Sequence, residues 1–269
     1  MIIDMHTHIF PEKIDERTLD TLAKTFHSDP FTKGTADSLA ESAEKAGIDL
    51  SVILPVVTKP SQFESITRFA EQFRSKPLYS FGGIHPASEN YKKELHYLKE
   101  HGFIGIKLHP DYQDMYFNDI RMKRVIDYAS NLDFIIVTHA GFNPLSPDDV
   151  HCTPQMAKEV IHEVQPEKLV LAHMGGGLPL LDEIEEHIIG ENVYLDTAYV
   201  LRQIPQERLL KMLEWHSYDK ILFATDSPWS DQKTDADYLR KLPIAENQRE
   251  KIAWENAAKL LQLKEQKIL

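Results

Sequence analysis

The strongest constraint on this chain is an alternation. Short apolar runs rich in β-branched residues recur at 2–8, 51–57, 79–85, 103–109, 133–139, 168–173, 193–196 and 220–226. Most are nearly continuous in apolar character, as strands buried on both faces of a parallel sheet must be. Between them the periodicity becomes helical. Leu39, Ala43 and Ala46 stand at i, i+4 and i+7, and Phe63, Ile66, Phe69, Ala70 and Phe73 share one helical face. Residues 120–129, 156–164 and 207–214 behave likewise, the last with Pro205 just ahead of it, where proline is tolerated. Strand and helix thus alternate eight times, at a repeat suited to βα units. The pattern predicts an α/β fold, a (β/α)8 TIM barrel, as a single domain over residues 1–269. An open doubly wound sheet would need a Gly-rich phosphate turn after the first strand, and none is there. The longest departure is an insertion after strand 1, residues 10–35, with Pro11, Pro30 and Gly34 around a helical-looking stretch at 16–26. A lid over the barrel mouth and a plain structural insertion are equal readings of it.

The ends of these runs carry the chemistry. The first holds His6-Thr7-His8, and residues i and i+2 of a strand point to one face. Two imidazoles so spaced can grip one ion. Alone the pair means little, since random placement of 13 histidines yields about 0.6 such pairs. Later runs add to it: they end on His85, His109, His139, His173 and Asp226. Carboxyl ends of barrel strands converge on one mouth, and histidines distributed for packing or solubility have no reason to gather there. The spacing therefore predicts a metal site.

Several segments, in order, resemble one family. Ile3-Asp4-Met5-His6-Thr7-His8 is similar to the opening strand of the amidohydrolase superfamily. Residues 105–113, Gly-Ile-Lys-Leu-His-Pro-Asp-Tyr-Gln, resemble the fourth strand of its amidohydrolase-related branch, which includes aminocarboxymuconate-semialdehyde decarboxylase and several hydrolases and lactonases. Residues 172–176, 224–228 and 255–261 resemble the sixth strand, the eighth strand and the closing helix. The resemblance implies His6, His8, His139 and Asp226 as metal ligands, with Asp226 also handling a proton. It implies a catalytic role for His173 beside a single ion, or a ligand role for it in two-metal relatives; the first is the favoured reading. Lys107 lies where two-metal relatives can carry a carbamate bridging the ions. A lysine paired with a carboxylate and one binding a substrate anion are its other readings. Zn²⁺ fits three imidazoles and a carboxylate, as one ion or two, with Mn²⁺, Fe²⁺ and Co²⁺ as alternatives. His85 and His109 are candidate substrate contacts, and Trp229 a candidate pocket wall. Asp4, two residues before His6, is a candidate support for an imidazole or a buried structural carboxylate. Gly175-Gly176-Gly177 reads as a close backbone passage rather than a phosphate cradle. The histidines at 27, 96, 101, 162, 187 and 216 read as surface residues, and Cys152 as no nucleophile.

Composition sets the outer limits. The formal charge is −12 and no Lys/Arg run exceeds a pair, which argues against a nucleic-acid partner. The single cysteine excludes an intrachain disulfide, the start does not read as a signal peptide, and no apolar run approaches a membrane span, so the expectation is a cytoplasmic protein. The partner is then a small-molecule substrate, a carboxylate among the candidates, and the resemblance adds homo-oligomers. The first functional expectation is a metal-dependent hydrolase whose metal-bound water attacks an amide, lactone or other ester. The alternative is a non-oxidative decarboxylase, or hydratase, of an unsaturated or aromatic carboxylic acid. The same ligands serve both, so the motifs leave the choice open.

Overall fold

A computed structural model describes residues 1–11, 15–26 and 28–263, so residues 12–14 of the insertion and His27 lie outside the described part. In chain order the elements are β1 (Ile3–Thr7), α1 (Asp15–Phe26), α2 (Ala36–Ala46), β2 (Leu50–Ile53), α3 (Phe63–Ala70), β3 (Arg74–Ser75), β4 (Leu78–Ser80), β5 (Gly82–Gly83) and α4 (Tyr91–Glu100). They continue with β6 (Gly105–Leu108), α5 (Ile120–Asn131), β7 (Ile135–Thr138), α6 (Pro154–Val164), β8 (Leu169–Leu171), α7 (Leu181–His187), β9 (Tyr194–Asp196), α8 (Gln206–His216), β10 (Ile221–Leu222), α9 (Gln232–Lys241), α10 (Glu246–Glu250) and α11 (Asn256–Leu260). Strand and helix alternate from β5 to β10, whereas α1 and α2, β3 to β5, and α9 to α11 follow one another without that alternation. The helix α1 fills much of the insertion after β1.

The strands are shorter than the apolar runs. The 79–85 run is split into β4 and β5, and Phe73 leaves its helix, because α3 ends at Ala70. Most site histidines therefore sit one or two residues beyond the paired strand, where the backbone is free to turn its side chains.

The chain forms two compact units. The first comprises 1–53, 75–79 and 196–269; the second comprises 54–74 and 80–195. In the first, β1 pairs in parallel with β2, Ile3 opposite Leu50. On the other side of β1, the Met5 amide donates to the Phe223 carbonyl at 3.0 Å and the Asp226 amide to the His6 carbonyl at 2.9 Å. Helix α2 begins at Thr35, whose hydroxyl accepts from the Ser38 amide, and ends at Gly47 in the left-handed region at φ 68°. Its buried residues are Leu39, Ala43 and Ala46, the stripe read from the sequence.

In the second unit, β5 to β9 form a parallel ladder in strand order, with Lys107 opposite both Gly83 and Val137 and Val137 opposite Val170. Ile106, Leu108, Ile136, Val137 and Val170 are at most 1% exposed, which explains their unbroken apolar character. Each such side chain contributes about 1.5–3 kcal/mol by leaving water. α5 starts at Asp119, whose carboxylate accepts from the Arg121 amide, and buries Met122, Val125, Ile126 and Ala129 against the ladder side.

Candidate metal centre

In the first unit, β1 and the turn after β10 bring three side chains together. His6 lies inside β1 and His8 one residue past it, so both rings emerge on one side. His6 Nε2 and His8 Nε2 are 3.2 Å apart, and Asp226 Oδ1 lies 3.2 Å from His8 Nε2 and 3.6 Å from His6 Nε2. Ligand atoms about 2 Å from one tetrahedral ion stand roughly 3.3 Å from each other, so these separations fit a shared ion. Two imidazoles and a carboxylate are ligands for Zn²⁺, Mn²⁺, Fe²⁺ or Co²⁺ alike. The side chain of His6 is 1% exposed, whereas His8 at 18% and Asp226 at 14% leave the group open on one side.

The backbone holds this arrangement. Asp226 occupies the left-handed region at φ 68°, a conformation uncommon for any residue but glycine. Its amide is fixed to the His6 carbonyl, the His8 amide donates to the Ser227 carbonyl at 2.7 Å, and the Trp229 amide closes the turn onto the Asp226 carbonyl at 2.8 Å. Trp229, the candidate pocket wall, is buried.

Two carboxylates stand behind the group, and of the two readings of Asp4 the buried structural carboxylate is the one the structure bears out. Asp4 does not support an imidazole. It is fully buried, and its Oδ1 accepts from the amides of His6 and Thr225, while Oδ2 accepts from the Thr225 hydroxyl at 2.6 Å and the Gln232 amide at 2.8 Å. Burial pushes its pKa up to about 7, against the pull of these donors. Asp4 thus ties β1 to the strand end that carries Asp226. The support for the imidazole comes instead from Asp196, at the end of β9, whose Oδ2 is 2.9 Å from His6 Nδ1. Asp196 is itself fixed by the Ala198 amide at 3.1 Å. A carboxylate on Nδ1 keeps the proton there and leaves Nε2 its lone pair, as a metal ligand requires. Asp196 was legible as the acid closing the seventh apolar run, but nothing local singles out its partner.

The second unit assembles the other candidates. His139 and His173 follow β7 and β8, and His173 Nε2 lies 3.0 Å from His139 Nδ1. His109 follows β6 and stacks between Tyr112, ring centroids 3.7 Å apart, and His139, at 4.3 Å. Gln113 fixes this strand end: its side-chain oxygen accepts from the His109 amide, and its nitrogen donates to the carbonyls of Val57 at 3.0 Å and Ile84 at 2.7 Å. One buried side chain thereby ties the ends of three strand segments, a role the sequence does not disclose. His85 Nδ1 accepts from the Ala87 amide at 3.1 Å, and burial pushes the ring below the ordinary histidine range, favouring its neutral form. Lys107 is 0% exposed within β6.

Other expectations divide. Cys152 is buried, its thiol pushed up by burial and by Asp111, consistent with an inert residue. His216, read as a surface residue, is 4% exposed, because it closes α8 on that helix's inner face. The chain after β8 does make a close passage, but the residue left without room is Gly141 after β7, whose Cβ would lie 1.8 Å from the Gly176 carbonyl oxygen. Among the described residues, no helix is long and apolar enough to cross a membrane.

Gamma-resorcylate decarboxylase from Polaromonas sp. is 29% identical over 133 residues, 42% of this chain; the match spans 40% of that relative's length. An uncharacterised TIM-barrel protein from Bordetella bronchiseptica superposes with a TM-score of 0.77 at 18% identity, covering 97% of this chain and 98% of that one. A dihydroxybenzoic acid decarboxylase from Polaromonas sp., solved with bound manganese and the inhibitor 2-nitroresorcinol, superposes with a TM-score of 0.70 at 17% identity, covering 99% and 98%. The fold is therefore the α/β TIM-barrel class that the alternation predicts. A family profile described as Amidohydrolase matches residues 3–263, from the first strand to the last helix. The chain belongs to the amidohydrolase family, in the amidohydrolase-related branch of its superfamily.

Proposed function

We propose that this protein is a divalent-metal-dependent, non-oxidative decarboxylase of a hydroxylated aromatic or unsaturated carboxylic acid. The observation that carries the choice over hydrolysis is the sequence likeness to gamma-resorcylate decarboxylase. The structural likeness to a dihydroxybenzoic acid decarboxylase agrees with it. The three ligand atoms of His6, His8 and Asp226 support the requirement for metal. The resemblance adds His139 as a further ligand.

When bound, the ion supplies a Lewis acid that anchors the substrate's oxygens. The remaining work falls to side chains. Loss of CO₂ replaces a carbon–carbon bond by a carbon–hydrogen bond, so one proton must reach the carbon that the carboxylate leaves. His173 and Asp226 are the groups proposed to hold and deliver it. Asp196 keeps the proton of His6 on Nδ1, so that ring takes no part in the transfer. His109, its plane set by Tyr112, and His85, biased to its neutral form, are proposed to contact the substrate; Trp229 is proposed as a wall. Residues 1–269 are proposed as one cytoplasmic domain.

The test is a chelated sample, reloaded with Mn²⁺ or Zn²⁺ and offered dihydroxybenzoates, unsaturated acids, lactones and amides. The reading expects CO₂ from the acids, only after reloading. Acid release from lactones or amides without CO₂ would return the protein to the hydrolases, and equal activity of the chelated sample would remove the metal altogether. His6→Ala with His8→Ala is expected to lose the ion in metal analysis. Two ions per wild-type chain would favour a carbamate on Lys107, and one would count against it.

A further inference from the structure

In the second unit a buried carboxylate stands beside His139, and neither the motifs nor the relatives assign it a task. Asp111 lies three residues past β6, and its side chain is 0% exposed. Its two oxygens are treated very differently. Oδ1 faces two groups from the loop after β7: the Ser146 hydroxyl at 2.5 Å and His151 Nδ1 at 3.2 Å. A carboxylate oxygen accepts, so both groups donate to it. Oδ2 is buried with no hydrogen-bond partner among the described residues, and it lies 3.8 Å from His139 Nε2. A buried acceptor without a donor is costly, so a proton on the facing ring nitrogen is favoured. The plane of the ring is set by its stacking on His109, 4° from parallel. Its opposite nitrogen, Nδ1, faces His173 Nε2 at 3.0 Å.

We propose that Asp111 is a positioning residue that fixes the tautomer of His139, holding the proton on Nε2 and leaving the lone pair on Nδ1. The nitrogen thus kept open is the one turned toward His173. Ser146 and His151 serve the same end indirectly, by anchoring Oδ1 so that Oδ2 stays aimed at the ring. The consequence for metal rests on reading His139 as a ligand; the tautomer itself does not.

The experiment uses the full chain, ¹⁵N-labelled and freed of metal by chelation, with the ring nitrogens of His139 identified by their loss in His139→Gln. Long-range proton–nitrogen correlation then reports which nitrogen carries hydrogen. Protonated Nε2 and bare Nδ1 are expected; the opposite pattern in the unaltered protein overturns the proposal without recourse to any variant. Asp111→Asn adds a sharper demand. The two donors from the β7 loop hold the amide oxygen at the Oδ1 position, which turns the NH₂ group toward His139 Nε2. Two donors cannot face each other, so the proton is expected to move to Nδ1. An unchanged His139 pattern in a folded Asp111→Asn protein overturns the proposal. If His139 binds metal, Asp111→Asn also weakens Mn²⁺ binding tenfold or more. A tautomer exchange with unaltered Mn²⁺ affinity upholds the positioning role and sinks the ligand reading instead.

Discussion

At His6 the state of a single proton decides whether the ring can bind metal. Neutral imidazole has one lone pair, and the Asp196 carboxylate at 2.9 Å from Nδ1 directs it to Nε2, the atom 3.2 Å from His8. Removing the charge while keeping the shape tests this directly. Asp196→Asn can still hydrogen-bond Nδ1, but it no longer strengthens the ring as a donor to metal. Metal affinity, measured by competition with a chromophoric chelator, is expected to fall about 10–100-fold. An affinity within twofold of wild type would mean that the ring is oriented by β1 alone.

Among the elements, the turns after the strands bear the greatest demands. The turn after β7 and the turn after β8 approach so closely that the chain at Gly141, with φ 87°, has no room for a side chain. These are the turns that follow His139 and His173. Gly190 has a similar φ of 91° but open space around it. The pair separates two costs. Gly190→Ala is expected to lose about 1–2 kcal/mol through backbone conformation alone. Gly141→Ala carries the same cost and a backbone collision besides, about 3 kcal/mol or more in total. Thermal melts of the two variants compare them; equal melting temperatures would show that the turns part without penalty.

For the whole molecule, the clustered ligands imply that metal and stability are linked. Two imidazoles and a carboxylate converge there at 3.2–3.6 Å. An ion that binds the folded chain and not the unfolded one adds about 2.7 kcal/mol when present at a hundred times its dissociation constant. Adding Mn²⁺ or Zn²⁺ to chelated protein is therefore expected to raise the melting temperature. The rise is expected to vanish in His6→Ala with His8→Ala. An equal rise in that variant would place the ion elsewhere.

The sequence by itself determined the alternation of strands and helices, the buried stripe of α2, and the arrival of histidines and an aspartate at strand ends. Each of these rests on local periodicity, which a chain declares within one element. Only the tertiary structure decided which acid serves which ring. Asp4 is two residues from His6, yet it bonds Thr225, 221 positions away, while His6 takes its partner from Asp196, 190 positions away. Gln113 likewise reaches back to Val57. In a parallel fold, neighbours across a strand pair are always distant in sequence, because a crossover must lie between them. Periodicity shows that a side chain lies at a strand end; only the register of the ladders shows what it meets there.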